Sequence, residues 1–315
     1  MKGVNASSVV RLILLIAYMT CQVPCLLVPL FFGKIFFAES HRVNKYIRSV
    51  LSPLSTGVYL LFCSIRLAVQ LSRAIPRHRK THARFLLMTH SSTLDFMVVT
   101  TASWLIHDVL GGVVCIVKRE LLSMPLIGWI QIGAGSVPVA RSGDADAARR
   151  NLAIAETKIQ DGYLLAGFPE GSRRRTRSSG RDQLLPFKKG MFHIAKNVAD
   201  KGQESVEFIP LVMVGGNTAW PSNYLLPIPG SKVVVRVGDP IRMHKNESVD
   251  EMTVRVRECM SSEIERTGAV KTGAYSIASA FDDSSEIDLW RTYGFEALLM
   301  MVPMVGSVGV LLGVF

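Results

Sequence analysis

Between residues 84 and 267 short apolar runs alternate with longer amphipathic ones, and this alternation restricts the fold more than any other feature of the chain. The short runs cover residues 84–89, 112–117, 136–140, 163–168, 207–214 and 232–238, each of strand length. The longer ones cover residues 93–107, 119–129, 144–160, 188–199 and 249–265, with helical periodicity. Strand and helix taken in turn predict one α/β domain with a mostly parallel or mixed central sheet. We set its bounds at residues 73–268, long enough for a sizeable core.

The flanks differ. Residues 12–33 form an uncharged run of 22, and a membrane-spanning helix needs about 20. A signal peptide is the competing reading, but the run is longer than a usual signal core and no small-x-small site closes it. We read a retained anchor, bent at Pro24 and Pro29. A second apolar stretch, residues 49–71, has basic residues on both sides, from Lys34 to Arg48 and from Arg73 to Arg84. Both flanks ask for the cytoplasmic side, which predicts a re-entrant or interfacial helix with Arg66 snorkelling to the headgroups. Residues 1–72 are therefore expected to be membrane-anchoring helices, residues 269–293 a linker, and residues 294–315, with a final uncharged run of 19, a C-terminal transmembrane helix. A buried core helix is the other reading of that last run.

The chain is 49% apolar yet carries a net charge of +11. That combination suits an anionic membrane surface, an anionic substrate or nucleic acid. Five cysteines show neither a disulfide framework nor metal-ligand spacing, so no metal site is expected. No cofactor is expected either.

Two clusters carry chemistry. His90-Ser91-Ser92-Thr93-Leu94-Asp95 stands where a predicted strand ends and a helix begins. A hydroxyl is a poor nucleophile at neutral pH, and an imidazole nearby is a suitable general base. Asp95, around the first helical turn, can reach back to fix the tautomer of His90 and stabilise the imidazolium. Phe168-Pro169-Glu170-Gly171-Ser172-Arg173-Arg174-Arg175-Thr176 follows a second strand. Gly171 can take a positive φ and let a ligand approach the backbone, and Arg173 offers forked donors to a phosphate. A solvated basic turn is the bland alternative for this second cluster.

With two further blocks these clusters resemble the glycerolipid acyltransferases of the 1-acylglycerol-3-phosphate (lysophosphatidic acid) type. The second block runs Val117-Lys118-Arg119-Glu120-Leu121, then Pro125 and Gly128, to Gly135-Ser136-Val137-Pro138-Val139-Ala140-Arg141; the fourth is Phe208-Ile209-Pro210-Leu211-Val212. The resemblance covers about residues 84–214. Departures are Thr89 where many relatives have Asn, Ser172 for Thr, Pro138 for an aromatic, and the added charges Arg174 and Arg175.

The resemblance implies that His90 is the general base and Asp95 its partner, with direct attack of the acceptor hydroxyl on a thioester. It implies further that Glu170, Gly171, Ser172 and Arg173 belong to the acceptor site, with Lys118 and Arg141 as phosphate contacts. The expected donor is acyl-CoA or acyl-carrier protein, and the expected acceptor lysophosphatidic acid. The expected location is a membrane, either the endoplasmic reticulum with the site facing the cytosol or a bacterial inner membrane. Glycerol-3-phosphate or another lysophospholipid is the alternative acceptor. A hydrolase is disfavoured because no Gly-x-Ser-x-Gly elbow occurs. A non-catalytic basic membrane-binding protein is the reading from a different class. Nucleic acid is not an expected partner, since basic stripes with interleaved aromatics are missing.

Overall fold

The structure, a computed structural model, describes residues 10, 13, 57, 60–61, 63–72, 82–105, 112–123, 128, 131–132, 134–139, 145–173, 184–202, 205–221, 224, 226–244, 246–267, 270–271, 274–275 and 285–287. The strands are β1 (Arg66–Leu71), β2 (His82–Met88), β3 (Val113–Lys118), β4 (Val137–Val139), β5 (Leu164–Gly167), β6 (Ser205–Val214), β7 (Lys232–Val237), β8 (Ile241–Arg242), β9 (Val270–Lys271), β10 (Ala274–Tyr275) and β11 (Ser285–Ile287). The helices are α1 (Leu94–Leu105), α2 (Ala145–Gln160), α3 (Gly190–Asp200), the single turn α4 (Gly216–Ala219) and α5 (Val249–Arg266). Nine of the strands form one sheet in the order β11-β1-β7-β6-β2-β5-β3-β4, with β8 also paired to β6.

The sheet is mixed, as expected. β6, β2, β5, β3 and β4 run parallel to one another, and β7 turns antiparallel against β6. Side chains alternate between two buried layers. Leu86, Met88, Ile209, Leu211, Val233 and Val235 pack on one face, where Leu94 and Val98 of α1 cover them. Phe85, Leu87, Phe208, Val212 and Val234 pack on the other, under α2, α3 and α5. Both faces of the central strands are thus dry, which is why they read as continuous apolar runs. α3 turns Met191, Phe192, Ile194, Ala195 and Val198 inward, a stripe of helical period. Ser248 caps α5 and exchanges hydrogen bonds with Glu251, which fixes where that helix starts.

Pro210 lies inside β6 without breaking it. Leu211 points its carbonyl at β2, accepting from the Thr89 amide at 3.1 Å, so the nitrogen of Pro210 faces the other way. On that side β8 pairs only with residues 207–208 and β7 only with residues 211–214. The missing N–H falls in the gap between them.

Two expectations are corrected. Residues 66–71, read as the end of an interfacial helix, form β1, parallel to β7 and antiparallel to β11. The α/β fold therefore starts before residue 73, and the boundary at 72 is too late. The physical reason is the turn at Ser64, which adopts φ +54°; Ser64 and Ile65 donate to the carbonyls of Leu61 and Leu60. That pattern ends a helix with a left-handed residue, a place usually held by glycine. With serine there, the apolar run carries no stop signal. The second correction concerns residues 269–293, read as a linker. They supply β11 to the sheet edge and a small β9–β10 ribbon.

Among the described residues no helix is long and apolar enough to cross a membrane. The runs 12–33 and 297–315 lie outside the described residues, apart from Ile13. The predicted helix at 119–129 opens as a 3₁₀ turn over Arg119–Ser123, and most of the remainder also lies outside them.

Candidate active site

Because β2, β3, β4, β5 and β6 are parallel, the loops that follow them gather at one edge of the sheet, where open α/β sheets place their sites. Thr89 directly follows β2 and is fully buried; its hydroxyl accepts from the Met213 amide at 2.9 Å. β2 is thereby tied to β6 one residue before His90.

The Nδ1 atom of His90 lies 3.2 Å from Oδ2 of Asp95. A carboxylate only accepts, so Nδ1 carries the proton and Nε2 is left as the base. Asp95 is 1% exposed and His90 21%. The buried carboxylate also accepts from the amides of Ser91 and Ser92, the latter at 2.7 Å. These donors compensate its desolvation and freeze the turn. On the far side of Asp95 stands Gly216. A Cβ there would lie 2.7 Å from Oδ1 of Asp95 and 3.1 Å from Cβ of Ser92, so only glycine lets α4 approach this closely.

The loop after β5 closes on the same turn. His90 stacks on Phe168 with ring centroids 4.1 Å apart. Glu170, 2% exposed, accepts from the backbone amides of His90 and Leu185, both at 3.0 Å. Its carboxylate thus staples the loops after β2 and β5 together. Gly171 takes φ +71°, and a Cβ there would stand 3.1 Å from Cγ of Lys188. Arg173 reaches across to Thr93, with Nη1 donating to Oγ1 at 2.7 Å.

His90, Asp95, Glu170, Gly171 and Arg173 are therefore brought into one site. Ser172 lies in the same loop and is exposed. Lys118 ends β3, exposed, two strands from β2, which at sheet spacing is about 10 Å. Arg141 lies outside the described residues. Three residues of the site escaped the sequence reading. Phe168 and Thr93 stand inside the two motifs with no role that sequence alone assigns, and Gly216 is signalled only by a Gly-Gly pair after an apolar strand.

The amides of His90, Ser91 and Ser92 are all engaged by carboxylates. They cannot serve a developing oxyanion, which needs donors of its own. Exposed cationic side chains described at this edge include Lys118, Arg173 and Lys188, the last packed beside Gly171. The arrangement can deprotonate a hydroxyl at Nε2 while an anionic group docks on Arg173. Among the described residues no cluster of His, Cys, Asp and Glu could hold a metal ion.

Residues 66–214 match the family described as Acyltransferase. The chain is similar to the 1-acyl-sn-glycerol-3-phosphate acyltransferase of Cocos nucifera, 32% identical over 156 residues, which is 50% of this chain and 45% of that protein. It is also similar to the lyso-ornithine lipid O-acyltransferase of Rhodobacter capsulatus, 28% identical over 141 residues, which is 44% of this chain and 46% of that protein. In each case the similarity spans less than half of the relative's length. The crystal structure of the 1-acyl-sn-glycerophosphate acyltransferase PlsC from Thermotoga maritima shares the fold, with a TM-score of 0.60 at 21% identity over 84% of this chain and 99% of that one. The matched segment begins at the first residue of β1 and ends at the last of β6, so it contains every strand whose loop contributes to the site. Residues 66–214, which hold the paired His90 and Asp95, are thus similar to the acyltransferase family.

Proposed function

We propose that this protein transfers a fatty acyl group from a thioester, acyl-CoA or acyl-carrier protein, to the free hydroxyl of lysophosphatidic acid, giving phosphatidic acid. The observation that carries the reading is a phosphate-type fork, from the loop after β5, held against the turn that carries the general base. His90 and Thr93 are three residues apart, and Thr93 holds Arg173.

In the reaction Nε2 of His90 takes the hydroxyl proton as the oxygen attacks the thioester carbon. Asp95 stabilises the imidazolium from the Nδ1 side. Collapse of the tetrahedral intermediate breaks the C–S bond, and the proton on His90 passes to the departing thiolate. Acyl ester and free thiol are the products, and no acyl-enzyme is needed. Arg173 holds the acceptor phosphate through paired charge-assisted hydrogen bonds, and Lys118 adds positive charge at the same edge; the family resemblance implies Arg141 as a further phosphate contact.

The relative from Rhodobacter carries the name of a different acceptor, a lyso-ornithine lipid. Arg173, Arg174 and Arg175 favour a phosphate monoester instead, whose two negative charges reward more donors. The apolar runs 12–33 and 297–315 fit a chain held in a membrane with this edge of the sheet near the headgroups. On the positive-inside rule the site faces the cytosol, at the endoplasmic reticulum or a bacterial inner membrane. The test is the full chain purified in detergent, with radiolabelled acyl-CoA and a panel of lysolipids. Phosphatidic acid as the main product supports the proposal; acylation of a zwitterionic or ornithine lysolipid in preference contradicts it.

A further inference from the structure

We infer that Thr93 is a positioning residue for the acceptor phosphate, acting by holding Arg173. The inference rests on the proposed acyl transfer and goes beyond it, since Thr93 is neither the base nor a phosphate ligand.

The hydrogen bond from Nη1 of Arg173 to Oγ1 of Thr93, at 2.7 Å, joins side chains 80 residues apart in sequence. Both side chains are exposed, yet both backbones are fixed. Thr93 follows Ser91 and Ser92, whose amides are held by the buried carboxylate of Asp95. Being β-branched, it has few χ1 rotamers to choose from, so its oxygen is well placed. Arg173 follows a turn closed by the Gly171 amide on the Phe168 carbonyl at 3.0 Å and anchored by Glu170 on two backbone amides.

The atom used decides the consequence. A guanidinium presents its two parallel donors to an oxyanion along the Nε–Nη2 edge. The bond to Thr93 engages Nη1 and leaves that edge for a ligand. An arginine on an exposed loop would otherwise lose rotamer freedom each time it bound, at a cost that a preset side chain avoids. Thr93 and His90 belong to one rigid turn, so the fork is held at a fixed offset from the base. A fixed offset is what an acceptor carrying both phosphate and hydroxyl on one molecule requires. Thr93 accordingly serves acceptors with a phosphate head and contributes nothing to the donor.

The experiment uses the full chain in detergent and compares wild type, Thr93→Val, Thr93→Ser, Arg173→Ala and the Thr93→Val/Arg173→Ala double variant. Valine keeps the shape and removes the acceptor oxygen; serine restores it. Losing a hydrogen bond to a charged group at an exposed site is expected to raise the KM for lysophosphatidic acid about fivefold to tenfold. The donor KM and kcat should stay within about twofold, and Thr93→Ser should return the acceptor KM to near wild type. In the Arg173→Ala background Thr93→Val should add nothing, because the two act as one unit. Additive losses, an equal rise in both KM values, or failure of serine to rescue would overturn the inference. If the wild type prefers another lysolipid, the proposed acceptor fails, and the same cycle is read on that lysolipid. There, additivity again counts against Thr93 and non-additivity for it.

Discussion

The imidazole of His90 lies against the ring of Phe168, with the two planes 24° from parallel. One face of the base is therefore covered, its Nδ1 edge is held by Asp95, and its backbone is held by Glu170. The ring has one orientation in which Nε2 can meet an acceptor. Replacing Phe168 by leucine keeps an apolar neighbour and removes the stacking, a contact of about 0.5–1.5 kcal/mol. We expect kcat to fall about threefold to tenfold with both KM values little changed. Steady-state kinetics with the Phe168→Leu variant checks this, and an unchanged kcat would show that stacking does not orient the base.

Gly216 is predicted to be intolerant of a single added methyl group. Asp95 cannot retreat from it without giving up the amides of Ser91 and Ser92. Gly216→Ala should therefore displace the carboxylate from His90 and lower kcat at least tenfold, on the scale by which small misplacements affect catalysis. The fold should survive, since overpacking of one methyl group costs about 1–3 kcal/mol. A folded Gly216→Ala enzyme with wild-type kcat would remove Gly216 from the description of the site.

Stability away from the site rests partly on a buried ion pair. Arg84 of β2 and Glu207 of β6 face each other in register, 1% and 0% exposed, at 3.2 Å. Removing one partner strands the other charge, at an expected loss of about 3–5 kcal/mol for Glu207→Ala. The volume-matched double change Arg84→Met with Glu207→Leu should recover most of that loss. Arg242, the second arginine on Glu207, is largely exposed and can turn to water. Chemical denaturation of the three proteins measures it; a double variant no more stable than Glu207→Ala would contradict it.

A pH dependence follows from Glu247. The hydrogen bonds from Arg255 hold its carboxyl below the ordinary 4.5; burial opposes this, and the His244 amide adds to it. A carboxyl with a lowered folded pKa stabilises the fold above its unfolded value, and that contribution disappears as pH falls through the folded value. Thermal melts from pH 6 down to pH 3 should show a Tm decline that is shallower in Glu247→Gln. Identical slopes for both proteins would contradict the assignment.

Much of this was legible in the sequence, for physical reasons that also explain what was not. Central strands such as β2 and β6 are buried on both faces, so their apolar runs announce them. His90 and Asp95 were legible because their link is local, across one helical turn. β1 was hidden because Ser64 takes the left-handed position without a glycine to mark it. β11 is three residues long and depends on β1 for its pairing. Glu170 was expected to meet the acceptor, whereas its carboxylate is found on the amides of His90 and Leu185, partners 80 and 15 residues away that no spacing rule encodes. Thr93 and Gly216 matter through contacts of the same long-range kind.

The most direct measurement is acyl transfer to lysophosphatidic acid by the purified His90→Ala protein beside the wild type. Both should be matched for folding by thermal melt. With the base removed and the phosphate fork left in place, turnover should drop by about 10²–10⁴ while the acceptor KM stays within a few-fold. A normally folded His90→Ala protein that acylates the lysolipid at the wild-type rate would contradict the account.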